Sequence, residues 1–282
     1  MTDPMTSLRR KGRVALKDVR YGLRSRAAAR PVYLSFARRG EHRDEVLSDG
    51  TAVVIDGFPR SANTFAALAF QTAQERPVRI AHNLHSAAHL IVAARRGVPT
   101  LLLIREPTDA VLSEAIRERP VSLRQVLAAY CRFYETVASR VGNMTVGEFS
   151  RVTNDFGSII VELNRRFGTA FGFFEHTSES TAVVFRLIDE RERRPTVKTV
   201  DGYLAGRSSL DEVWAAYGDL EARGVASSLP EGSVPRPSTS RIGLKEELRR
   251  NLEKPFLADL RKRAEQAYRR ITDRASTMGG SG

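Results

Sequence analysis

Four short, mostly apolar runs, each followed by a turn and then a helical pattern, limit how this chain can fold more than any other feature. Ala52–Asp56, Val78–Ala81, Thr100–Ile104 and Met144–Glu148 have the length and the aliphatic or β-branched content of buried strands. Apolar residues recur at helical spacing over about residues 63–75, 82–96, 105–117, 122–140 and 154–167. Strands that alternate with helices of this length imply βαβ units, because parallel strands need a long crossover between them. The sequence therefore predicts a three-layer α/β/α domain with a short central parallel sheet. At 282 residues the chain holds one such core and is short for two full enzyme domains.

Charge divides the chain. Of a formal net charge of +12, most comes from residues 9–43, where twelve Lys and Arg face only Asp18 and Glu41. Residues 1–45 are expected to be a loosely ordered basic arm with helical stretches, and residues 46–282 a single α/β domain. Such an arm meets an anionic membrane surface, nucleic acid or a polyanionic partner, or it is simply a solvated basic segment. Residues 195–210 and 224–240 are rich in Gly, Ser, Thr and Pro and read as loops; residues 244–274 read as strongly helical. The single cysteine, Cys131, excludes an internal disulfide framework. No apolar run approaches the ~20 residues of a membrane span, and no secretory apolar core is present near the start. A cytoplasmic location is the expectation.

Two motifs carry chemistry. Gly57-Phe58-Pro59-Arg60-Ser61-Ala62-Asn63-Thr64-Phe65 follows the first strand and opens a helix. Helix N-terminal amides converge on anionic oxygens and the helix dipole favours negative charge there. Arg60 adds a full charge, and Ser61, Asn63 and Thr64 add side-chain donors. The loop lacks the Gly-Lys-Ser/Thr ending of a Walker A sequence, which disfavours an ATPase or kinase of that type. The second motif, Arg105-Glu106-Pro107-Thr108-Asp109-Ala110-Val111-Leu112-Ser113, follows the third strand. An arginine fork and a hydroxyl at a strand's C-terminal end suit a second phosphate. Two anion sites on neighbouring strand ends fit a nucleotide phosphorylated at both ends of its ribose.

Together these motifs resemble the sulfotransferases that use PAPS (3′-phosphoadenosine 5′-phosphosulfate). Pro59-Arg60-Ser61-Ala62-Asn63-Thr64-Phe65 is similar to their donor loop Pro-Lys/Arg-Ser-Gly-Thr/Asn-Thr-Trp, with Ala62 at the glycine and Phe65 at the tryptophan. Arg105, Pro107, Asp109 and Ser113 match their Arg-x-Pro-x-Asp-x-x-x-Ser motif at every spacing. Val146-Gly147-Glu148-Phe149 and Arg166-Phe167-Gly168 look like degenerate copies of two later family segments. The resemblance covers about residues 50–170 and implies a fold like that of P-loop kinases and sulfotransferases. It implies sulfuryl transfer from PAPS, with PAP as product and no metal. The acceptor would be a small molecule, a glycan or a lipid-linked hydroxyl or amine, held by loops within residues 176–243. It assigns the 5′-phosphosulfate to Arg60 and residues 61–65, and the 3′-phosphate to Arg105 and Ser113. Arg241, in the partial echo Arg241-Ile242-Gly243, is carried over to the donor site as well.

Histidines follow the second strand. By position in the family, His82 is the general base, with His85 the runner-up; a neutral imidazole suits removal of a hydroxyl proton. His85 and His89, four apart on an expected helix, also admit a metal reading, although the Glu of His-Glu-x-x-His is absent. Two other readings stay open: a divergent P-loop kinase, and a non-catalytic anion- or nucleotide-binding protein on the same scaffold. The sequence is silent on oligomeric state.

Overall fold

A computed structural model of the protein describes residues 4–40, 42–192, 197–222 and 239–279. Its centre is a four-stranded, all-parallel sheet of β1 (Val53–Gly57), β2 (Ile80–His82), β3 (Thr100–Ile104) and β4 (Thr145–Glu148), in the order β2-β1-β3-β4. Side chains alternate between faces along each strand, so neighbouring residues enter different cores. Val54, Leu102, Ile104 and Val146 face one core; Val53, Ile55, Leu101 and Leu103 face the other. Both faces are covered, which is why these strands read as continuous apolar runs. α4 (Ala87–Arg95), α5 (Pro107–Arg117), α6 (Leu123–Val137) and α13 (Ala258–Gly279) fill the first core. α3 (Asn63–Thr72), α8 (Phe156–Phe167), α9 (Ser178–Glu192) and α10 (Val197–Leu204) fill the second, and the short α7 (Phe149–Asn154) follows β4 directly. The three-layer α/β/α arrangement expected from the sequence is present.

Several elements differ from the sequence reading. The expected helix over 82–96 begins only at Ala87, because Asn83 and His85 have left-handed backbone (φ 58° and 50°) and Ser86 is the N-cap, its side chain accepting from the His89 amide. β2 accordingly extends past the expected strand end to His82. The expected loops over 195–210 contain α10, whose Val200, Tyr203 and Leu204 are buried although Gly, Ser and Thr surround them. The loop reading over 224–240 falls almost wholly outside the described residues. The described residues of 176–243 include α9, α10, α11 (Leu210–Ala222) and the start of α12 (Thr239–Leu252). The long C-terminal helical pattern is divided between α12 and α13 at Lys254-Pro255, where proline cannot continue a helix.

The basic N-terminal segment is a helix, α1 (Pro4–Ala27), docked on the domain, followed by α2 (Val32–Ala37). Tyr21 donates to Glu114 Oε1 (3.1 Å), the Ser122 amide donates to Asp18 Oδ1 (2.7 Å), and Arg132 donates to Ser25 Oγ. Farther on, Leu34, Ala37 and Val46 form a small core with Leu84. Among its described side chains the helix is attached by hydrogen bonds, by the buried Gly22 and by Tyr21, which packs against the first core, rather than by a continuous apolar stripe. Among the described residues no helix is long and apolar enough to cross a membrane.

Candidate active site

The chain leaves β1 toward β2 on one side, while β3 continues to β4 on the other, so the topological switch point lies between β1 and β3. Ligands of open α/β sheets bind beyond the C-terminal strand ends at such a point. A cavity of about 1060 Å³ opens there. Gly57 ends β1; a Cβ on it would lie 2.3 Å from the Leu103 carbonyl oxygen, so only glycine lets the two strand ends come this close.

The loop after β1 lines the cavity through Pro59, Arg60, Ala62, Asn63, Thr64 and Phe65. It ends at α3, whose first-turn amides have no acceptor within the helix and head its dipole. Arg60 and Ala62 both have left-handed backbone (φ 69° and 66°). At Ala62 this costs about 1–2 kcal/mol, against about 0.4–1 kcal/mol of unfolded-chain entropy that alanine saves relative to glycine. Ala62→Gly should therefore raise stability by about 0.5–1 kcal/mol in chemical denaturation. Two of the predicted donors are used differently. Ser61 is buried with Oγ 3.4 Å from the Tyr134 hydroxyl and does not line the cavity. Asn63 Nδ2 donates to the Phe58 carbonyl (3.0 Å), so this side chain braces the loop. Thr64 lines the cavity as expected.

The second motif meets the first. Arg105 Nη1 donates to the Arg60 carbonyl (3.2 Å), and Arg60 Nε donates to Ser113 Oγ (3.1 Å). The Arg105 guanidinium lies 4.0 Å above the centre of the Phe149 ring, which fixes its plane. Arg105, Ser113 and Phe149 all line the cavity. Ile242 and Lys245 of α12 close the same region, and Lys245 Nζ donates to Asp109 Oδ1 (2.7 Å). The sequence reading missed Lys245, although it follows the Arg241-Ile242-Gly243 echo by two residues. Arg241 itself lies in α12, and its side chain falls outside the described residues.

The histidine assignment changes. His82 is buried and does not line the cavity. Its amide donates to the Glu45 carbonyl (3.0 Å), and its Nδ1 is without a hydrogen-bond partner. Burial and the Arg191 guanidinium push its pKa down to about 4, against Glu45 and Asp56, so it is a neutral interior residue. The late start of α4 brings His85 to the cavity instead, with its side chain 25% exposed. His85 Nδ1 lies 2.9 Å from the Gly57 carbonyl, which can only accept, so Nδ1 carries the proton and Nε2 is left as a base. Burial lowers its pKa below the usual range, against Asp56 and the Gly57 carbonyl, so the ring is neutral at pH 7. His85 and His89 do not share a helix face as the sequence suggested. His85 precedes α4, and both His89 nitrogens are engaged: Nδ1 with Asp56 Oδ2 (3.3 Å) and Nε2 as acceptor from the Leu47 amide (3.0 Å).

Asp56 organises this corner. Wholly buried, it accepts from the Gly57 amide (2.9 Å) and the His85 amide (3.1 Å) as well as from His89. Its only sequence signal is a carboxylate closing an otherwise apolar strand. From α1 and α5 come Tyr21, Arg24, Glu114 and Arg117, which also line the cavity. Burial and Glu118 push Glu114 up to about 7, opposed by the Tyr21 hydrogen bond. No local pattern marks these four; only the packing of α1 on the domain assembles them.

The buried His82 makes stability depend on pH. Its folded-state pKa, about 4, lies below the ordinary 6.5, so the unfolded chain binds a proton first as pH falls. Stability present above about pH 6.5 is lost on the way to about pH 4, by on the order of 1–3 kcal/mol. Denaturant midpoints of the wild type should fall across this window, and His82→Gln should flatten the decline, leaving the contribution of His85. No protein-family model, no curated protein and no solved structure matches the chain.

Proposed function

We propose that the protein transfers a sulfuryl group from PAPS to a hydroxyl or amine acceptor, with His85 rather than His82 as the general base. The observation that carries this reading is the fusion of the two anion motifs on one cavity wall, where Arg105 holds the Arg60 carbonyl and Arg60 holds Ser113. A neutral imidazole with an unprotonated Nε2 lines the same cavity. The residues fit the donor. The α3 amides and Arg60 would receive its 5′ end, and Arg105, Ser113 and Lys245 its 3′-phosphate. When bound, the donor supplies a sulfuryl group on a phosphate leaving group. His85 Nε2 takes the proton of the acceptor hydroxyl as attack begins, and the Gly57 carbonyl and Asp56 hold the ring and its backbone in place. Arg60 and the α3 dipole stabilise negative charge that builds on the transferred and departing oxygens. Phe133, Phe185, Ile116 and Ile188 give part of the cavity an apolar lining, suited to an acceptor with an apolar portion. We assign this activity to the cytoplasm, on the single cysteine.

Calorimetric titration with PAP and with Mg²⁺–ATP tests the reading. PAP should bind at least about tenfold tighter, because ATP has no 3′-phosphate for Arg105 and Ser113. Equal affinity would overturn the donor assignment in favour of a kinase. PAP binding without PAPS turnover on any acceptor would favour the binding-protein reading.

A further inference from the structure

We infer that α1 is a peripheral docking helix for an anionic lipid bilayer, through an apolar ridge of Leu16, Val19 and Leu23 bordered by arginines. These three side chains are 61%, 56% and 58% exposed, on a helix whose opposite side is bound to the domain. Their spacing of three and four residues places them on one helix face. Arg20, four residues after Leu16, borders the ridge on one side, and Arg26, three after Leu23, on the other; both are exposed. The other side of α1 is committed: Asp18, Tyr21 and Ser25 hold Ser122, Glu114 and Arg132. These bonds fix the rotation of the helix, so the ridge faces away from the fold.

Charge selects the occupant. Over its 24 residues α1 carries eight Lys and Arg against Asp18 alone. A basic helix with a short aliphatic ridge and low overall hydrophobicity lies in the plane of a bilayer surface, its aliphatic groups entering the acyl boundary and its cations meeting anionic headgroups. Nucleic acid would use the same cations but offers nothing to desolvate three aliphatic side chains. A second copy of this chain would bring the same cations against their like, which opposes self-association through this face. Lysine and arginine stems also extend the apolar strip while their charged ends stay in water. Because Tyr21, Arg24 and Ser25 of the same helix line the cavity, docking would hold the cavity about one helix diameter, roughly 10 Å, from the bilayer surface.

The test is co-sedimentation of the full chain with vesicles of phosphatidylcholine, alone or mixed with phosphatidylglycerol. Binding should occur only with the mixed vesicles and weaken as salt rises. Leu16→Ser/Val19→Ser/Leu23→Ser should weaken it by about tenfold or more, with far-UV circular dichroism unchanged since the three side chains are exposed. Arg20→Ser/Arg26→Ser, measured separately, should weaken it and reduce the salt dependence, so the inference stays testable if the first variant is unstable. Unchanged vesicle binding in the aliphatic variant would overturn it, as would equal binding to neutral vesicles. So would a ridge-dependent dimer in sedimentation velocity without lipid, or tighter binding to a DNA duplex than to mixed vesicles.

Discussion

His85→Ala is expected to lower turnover by about 10²–10⁴-fold while leaving PAP affinity within about threefold, the pattern of a lost general base. The measurement is PAP release from PAPS with a simple phenol as acceptor, beside calorimetric PAP binding. The size follows from geometry. His85 Nδ1 is tied to the Gly57 carbonyl at 2.9 Å, so the ring presents one tautomer and Nε2 is available as a base without a prior proton loss. Burial keeps the ring neutral at pH 7, so the rate should fall only below the ordinary histidine range as Nε2 takes up a proton. His82→Gln is the contrasting variant. It alters the pH dependence of stability but removes nothing from the cavity, so turnover at about pH 7.5 should stay within about threefold of wild type. A larger loss for His82→Gln than for His85→Ala would return the base assignment to His82.

Arg105→Ala is expected to weaken PAP binding by about 2–4 kcal/mol, or roughly 30- to 1000-fold, because a charge-assisted contact to a phosphate is lost in a partly buried setting. Arg105 has two tasks that this number combines. Its guanidinium stacks on Phe149, where it would hold phosphate, and its Nη1 braces the loop through the Arg60 carbonyl. Titration with 5′-AMP separates them, since that nucleotide has no 3′-phosphate. AMP affinity should change by less than about threefold if Arg105 acts mainly on the 3′-phosphate. An equal loss for AMP and PAP would instead make it a brace of the donor loop. Arg105→Lys should recover little, because an ammonium neither stacks on Phe149 nor reaches phosphate and carbonyl together.

Much of the fold is written locally. β3 at Thr100–Ile104 is stated by apolar length and the helices over 105–117 and 122–140 by apolar spacing, and these signals do not depend on the rest of the chain. The two anion motifs are legible for the same reason: each is a strand end, a turn and a helix start, contiguous in sequence. Even the strain at Ala62 is foreshadowed, since a residue standing where glycine is usual takes left-handed backbone.

Tertiary structure decided what lies between distant segments. Which histidine reaches the cavity depends on four residues, 83–86, whose left-handed turns delay α4; hydrophobic periodicity is blind to such turns, and a helix starting at His82 would point His85 away. Asp56, Glu114, Tyr21 and Lys245 became site residues only through packing, because each is joined to the cavity by contacts across tens of residues. The role of α1 was hidden most completely. Its described attachments are hydrogen bonds of Lys17, Asp18, Tyr21 and Ser25 and the buried Gly22, which leave no hydrophobic period in the sequence, while its visible aliphatic period, Leu16, Val19 and Leu23, faces away from the domain. A sequence declares which residues are apolar, but only the docked helix shows which of them the fold has left uncovered.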